Sequence, residues 1–556
     1  MIGAHPSIAL FAAALALPFL KGSARRWAMI LGPSLGLALL SGLGDGSTLF
    51  HALPGFTLEL LRVDALSRLF GTVFCLVGVF GMLYASHLEE SGEAASSLAL
   101  IGGSLGVVFA GDWLTMFVFW ELMSVFSVFV IWYAGTPESR RAGVRYLLLH
   151  VLGGGTLFAG ILLHRAGGGA EAFASLTGEA MTPGAWLILA GIAVNAAIPP
   201  LHTWLTDAYP ACSVTGSVVQ SAFTTKTAVY ALIRAFPGQP VLIWFGAGMA
   251  VYGVFYAIFS NDIRRLLAYH IVSQVGFMVA GIGLGTALSL NGAAAHAFCH
   301  ILYKGLLFMS AGAVVAAAGT GKLTELGGLA RKMPEVCVFF FVGALSISGL
   351  PPFNGFVSKT MTIHAFGAAH RIGPELMLEL ASVGTFLSIG LKLGWFAFFA
   401  EAKTERKLRP VPKNMVAAMG GLAGLCLLFG VWPDLLYRAL PFASEYRPYT
   451  ADRVLGSIEL HLGTALGFWI LLSLLAVKPK IALDVDWLYR KPGAAVLSFA
   501  VALLKGVGAL AQTRGVDAVY AAVPGEYDAD GKRVPVGLTL FWISLFVALL
   551  AFYSWT

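Results

Sequence analysis

The chain has 556 residues, 58% of them hydrophobic and only 12% charged, with a formal net charge of +7. An ordinary soluble domain carries roughly 25% charge, so this composition excludes one and requires lipid. The excess Lys and Arg lies in loops, where it reads as membrane topology, and no basic stripe interleaved with aromatics exists to bind nucleic acid.

Apolar runs near the length of about 20 residues that crosses a bilayer recur from end to end. The first, 8–20, has almost no basic residues before it and leads straight into 27–43, which fits a transmembrane helix better than a cleaved signal peptide. Runs at 66–87, 96–110, 113–134, 144–164, 185–199, 214–236, 241–260 and 266–285 follow. The later ones are 293–318, 336–350, 353–366, 378–400, 415–431, 461–477, 494–510 and 538–554. Several are too short to cross, so pairs are expected to be halves of broken helices and the crossings to number about fourteen. With the N-terminus outside, Arg25 and Arg26, Arg140 and Arg141, Arg264 and Arg265, and Arg331 and Lys332 all fall inside, whereas the basic loop 403–413 falls on the wrong side.

Two stretches share one pattern: an apolar run, a break at Pro199-Pro200 or Pro351-Pro352, an amphipathic stretch, and a helix with a lone internal lysine, Lys226 or Lys392. Proline breaks a helix and frees a carbonyl. Repeated units with broken helices are characteristic of transporters. From residue 402 onward the connections 433–452 and 478–492 are more polar, and the last runs hold few charges besides Lys505, as in an appended scaffold.

Glu121, Lys226, His270, Lys304 and Lys392 lie inside apolar runs. A charge at the bilayer centre costs about 2.5–3.5 kcal/mol on insertion scales, so such groups face water or each other. Glu121 is the only side chain between Asp112 and Glu138 that is charged near neutral pH, and Asp112 itself suits the start of a helix. The proton affinity of Lys226, among Thr224, Thr225 and Thr227, would move with the charge of a carboxylate such as Glu121. His270 has two exchangeable nitrogens, and His296, His300 and Lys304, at i, i+4 and i+8, line one helical face. Lys392 is isolated between Gly390 and Gly394, and its place in the series suits a terminal gate. The alternative for each is a structural role, as a counter-ion or a satisfied core side chain. Lys359 follows a Gly-containing break and is read as an interfacial anchor, His150 and Lys505 are as easily explained by packing or snorkelling, and Arg234 by snorkelling. Five separated cysteines without a CxxC read as small buried hydrophobes.

Over about residues 64–400, FVFWELMS, PPLHTWLTDAYP, RRLLAYHIVSQVGF, HAFCHILYKGLLFMSAG and SGLPPFNGFVSK resemble the proton-conducting, antiporter-like membrane family. It comprises large subunits of Mrp-type cation/proton antiporters, of respiratory complex I and of membrane-bound hydrogenases. The terminal lysine and the tail stretch ALDVDWLYRKPG are most similar to the Mrp D-type subunit. The resemblance implies an all-α polytopic fold of about fourteen or more transmembrane helices, with two inverted five-helix repeats and discontinuous helices. It divides the chain into N-terminal helices (1–93), a first repeat (94–285), a second repeat (286–432) and a C-terminal helical extension (433–556). By the same resemblance Glu121 and Lys226 form the family's essential pair, and His270, His300, Lys304 and Lys392 continue the proton relay. Asn195 stands where the family often has lysine.

The function implied is a proton-conducting subunit of a multisubunit cation/proton antiporter, Na⁺ first, in the cell inner membrane. The alternative is a proton-pumping subunit of a complex I-like or hydrogenase-like redox complex. Expected partners are other membrane subunits, protons, a monovalent cation and the bilayer. No catalytic chemistry, cofactor or metal site of the chain's own is evident.

Overall fold

The computed structural model describes residues 4–53, 56–178, 181–402 and 407–473, with isolated positions as far as 492. One compact unit comprises Met1–Phe50 and Leu58–Ala482, and a second comprises His51–Thr57 and Leu483–Thr556. The runs expected at 494–510 and 538–554, Lys505, and nearly all of ALDVDWLYRKPG lie outside the described residues.

The described chain is helical apart from one two-stranded hairpin, Gly46–Leu53 with Phe56–Val63, an element the apolar-run reading leaves as a connection. Polar side chains fix where the long helices begin. Asp64 accepts from the Ser67 amide at 2.9 Å, Asp112 from the Thr115 amide at 2.7 Å, and Thr136 from the Ser139 amide at 3.0 Å. Each satisfies a donor that the first helical turn leaves free.

The number of crossings and the repeat arrangement need correction. Among the described residues nine helices are long and apolar enough to cross a membrane, not fourteen or more, and no inverted repeat is evident. The helices Pro183–Asn195 and Pro334–Ser348 are apolar but have only 13 and 15 residues. The run at 214–236 divides at Phe223 into Val214–Ala222 and Thr224–Ala235, of 9 and 12 residues. Apolar composition marks burial against protein as well as against lipid. Counting apolar runs therefore overcounts crossings.

Two helices form the interior. Ile263–Leu284 is buried at every residue from Leu266 to Gly283, and Ala287–Ala318 is buried over most of its 32 residues. Ile263–Leu284 packs against Val241–Phe259 through glycine, with little room for anything larger. A Cβ at Gly276 would meet the Gly246 carbonyl at 2.5 Å and the Ala250 amide at 2.6 Å. Such backbone-to-backbone approach is how small residues bring membrane helices together. Ala287–Ala318, which carries Lys304, in turn contacts Thr224–Ala235 and Asn354–Ala368, the helices of Lys226 and Lys359. All five cysteines are buried and free.

Candidate functional site

Glu121 lies half-buried near the middle of Trp113–Trp132, its Oε1 shielded and without a hydrogen-bond partner. The carboxylate rests on Gly154 of Pro137–Ala166, where any Cβ would collide with Oε1. On that helix the Tyr146 and His150 rings stack at 3.7 Å, with His150 Nδ1 2.9 Å from the Tyr146 carbonyl and Trp204 edge-on to both. Tyr146 is within electrostatic reach of Glu121 and also faces Ser127 and Thr224. The Gln220 amide donates to the Ser127 carbonyl at 2.8 Å, tying the Glu121 helix to the broken segment.

Lys226 is fully buried one turn after the break at Phe223. Its Nζ donates to the Ser221 carbonyl at 2.6 Å. That carbonyl is one of those a helix end leaves unpaired, and a cation there also meets the negative end of the helix dipole. No ion pair within 4.0 Å joins Lys226 to Glu121. The helix break supplies the nearer acceptor. Lys226 instead lies within electrostatic reach of His300 and Lys304.

The histidines and lysines of the second region are all buried. His270 Nε2 lies 2.6 Å from Ser388 Oγ, and Gln274 Nε2 donates to Thr385 Oγ1 at 3.4 Å. His296 is 3.2 Å from Gln274 Oε1 through Nε2 and 3.1 Å from Ser358 Oγ through Nδ1. One turn further on, neither His300 nitrogen nor the Lys304 amine has a hydrogen-bond partner. Lys392 sits in the π-helical stretch Phe386–Leu393, a conformation found mostly at functional positions, and reaches the Ile258 carbonyl.

Two residues depart from the sequence reading, Lys359 and Arg234. Lys359 is buried rather than interfacial; its Nζ donates to the Ile347 carbonyl at 2.7 Å and lies 5.2 Å from the centre of the Phe277 ring. Its signal was present as a further lysine in an apolar run. Arg234 does not snorkel; it pairs with Asp64 at 2.9 Å. Burial pushes the Asp64 carboxyl up, but Arg234, the Ser67 amide and Arg62 together hold it below the usual carboxylate value. Asn195 is fully buried with neither amide atom hydrogen-bonded.

The family model described as "NADH:quinone oxidoreductase/Mrp antiporter, TM" matches residues 110–389, half of the chain, a stretch that includes Glu121, Lys226, His270, His300, Lys304 and Lys359 and ends just before Lys392. The chain belongs to this family. It is 29% identical over 419 residues to the D-type subunit of the Na(+)/H(+) antiporter of Alkalihalophilus pseudofirmus, covering 71% of this chain and 83% of that protein. It is equally 29% identical over 434 residues to hydrogenase-4 component B of Escherichia coli, covering 69% of this chain and 65% of that one. A chain of the Mrp complex from Dietzia sp. DQ12-45-1b superposes with a TM-score of 0.70 at 22% identity, over 83% of this chain and 98% of its own, which shows the shared fold. The family member described here is a multi-pass integral membrane protein.

Proposed function

We propose that the chain is a proton-conducting subunit of a multisubunit cation/proton antiporter, with Na⁺ as the exchanged cation, in the cell inner membrane beside other membrane subunits. The observation that carries this reading is Lys304, an amine fully buried without a hydrogen-bond partner and within electrostatic reach of Lys226. Two enclosed amines that repel each other are stabilised when one gives up its proton. The relay residues are Glu121, Lys226, His270, His300, Lys304 and Lys392, with the hydroxyl and amide groups of Ser388 and Gln274 between them. Protonation of Lys226 favours release from Lys304, and this alternation moves a proton without a cofactor. The similarity to the Na(+)/H(+) antiporter protein supports exchange with a cation.

The similarity to hydrogenase-4 component B, equal in identity and over 69% of this chain against 71%, favours a second reading as a redox-driven proton pump. Inverted membrane vesicles containing the intact complex distinguish them. Collapse of a preformed pH gradient on adding Na⁺, with respiration blocked, is expected of the antiporter. Proton uptake only during electron transfer would overturn it in favour of the pump. Lys304→Ala is expected to abolish whichever activity is found.

A further inference from the structure

We infer that Glu93 is the mouth of a proton path that runs along the hydroxyl face of Val214–Ala222 to the Lys226 amine; the inference rests on the proposed role of Lys226. Glu93, in the first turn of Ser91–Phe109, is only 8% exposed. It accepts from Ser213 Oγ at 2.6 Å and from Thr215 Oγ1 on a different segment. From Ser213, the N-cap of Val214–Ala222, Ser217 and Ser221 follow at i+4 and i+8, and these two lie on one face of the helix. The Ser221 carbonyl takes the Lys226 Nζ hydrogen bond, which ends the series at the amine. A carboxylate and an amine thus stand at the two ends of one polar face.

The groups between them have the chemistry to pass a proton. Ser217 Oγ donates to the Val214 carbonyl at 3.0 Å and Ser221 Oγ to the Val218 carbonyl at 2.7 Å. Each hydroxyl spends its hydrogen on its own helix and keeps lone pairs free. Residues four apart on a helix are about 5–6 Å apart at Cβ, a gap one bridging water spans. A proton taken up at the Glu93 carboxylate passes by each hydroxyl accepting one proton and releasing its own, until the neutral Lys226 amine becomes ammonium. Gln220, fully buried beside this face, keeps an unpartnered Oε1 that can hold such a water. The mouth lies beside Arg264, whose Nη1 donates to the Cys212 carbonyl at 2.8 Å. The Arg140 and Arg264 loops share this side, and the charge bias assigns it to the cytoplasm.

Transport by the assembled complex in inverted vesicles tests the path with three variants. Glu93→Gln keeps an oxygen for Ser213 and Thr215 but cannot exchange a proton, and its rate is expected to fall at least about tenfold, within the range general acid–base groups contribute. Glu93→Asp is expected to restore most of the rate, which a purely capping role would not require. Ser217→Ala removes only a hydroxyl bonded within its own helix, so assembly is retained while the rate falls about threefold or more, the equivalent of one net hydrogen bond. Wild-type transport in either Glu93→Gln or Ser217→Ala overturns the path, and if Glu93→Gln fails to assemble, Ser217→Ala alone decides. Lys226→Ala separates the two levels. If it too transports normally, the proposed function fails; if only it is inactive, the path alone fails.

Discussion

The region around Glu121 and Lys226 and the region around His296, His300, Lys304 and Lys359 bury their charges in opposite ways. The first has a carboxylate and an amine, yet each finds its support elsewhere, Glu121 on Gly154 and Lys226 on the Ser221 carbonyl. The second has amines and imidazoles, and among the described residues no carboxylate is hydrogen-bonded or ion-paired to any of them. A region with both signs can lower its energy by closing an ion pair. One with a single sign can do so only by losing protons. Under the proposed function, the first region would switch by geometry and the second by proton loss.

The largest effects should come from the ionisable groups of both regions, beginning with the first. Glu121→Ala and Lys226→Ala are each expected to lower transport by about 10²–10⁴-fold with assembly intact, the magnitude of a lost acid–base group. Normal transport in either would leave the first region without a role. The second region gives a sharper contrast through Lys304→Met. Transport should be lost, yet the melting temperature of the complex should hold or rise, because an apolar group of similar volume removes the cost of enclosing an unpaired polar amine. A clear loss of stability would mean that Lys304 has a partner after all.

Ser388→Ala is expected to be milder. It removes the 2.6 Å contact that orients His270, and a net loss of about 0.5–1.5 kcal/mol predicts a rate reduced by roughly two- to tenfold. A smaller effect still is expected outside both regions, at Asp64→Asn. The Asp64 carboxyl is held below its ordinary value of 3.8, so its ion pair with Arg234 stabilises the fold fully above that value and less as pH falls through the lowered one. The variant should therefore melt below wild type at about neutral pH and converge with it in strong acid, with transport little changed. Equal melting at neutral pH would show the pair to be idle.

Much of the candidate site was legible because an ionisable side chain inside an apolar run is conspicuous whatever surrounds it. Lys226, His270, His300 and Lys304 are all fully buried, as that pattern implies. Which partner each would find was not legible. The break at Phe223 decides the acceptor for Lys226, and no local signal distinguishes a carbonyl freed there from a carboxylate on another helix. Tyr146 joins the Glu121 side through stacking with His150, a contact between residues that spacing alone does not mark as functional. The crossings were overcounted for a related reason: 334–348 is as apolar as a membrane span but surrounds itself partly with protein.

The enclosure of Ile263–Leu284 has a consequence for how the protein meets different membranes. Hydrophobic mismatch is relieved by tilting helices that touch lipid, and from Leu266 to Gly283 this helix presents no residue to it. Helices such as Val241–Phe259, which carries exposed Trp244, Phe255 and Phe259, take up changes in bilayer thickness instead. His270 and Gln274 are thereby insulated from acyl-chain length, and reconstitution in thinner or thicker bilayers should disturb assembly with neighbouring subunits before it disturbs the interior hydrogen bonds.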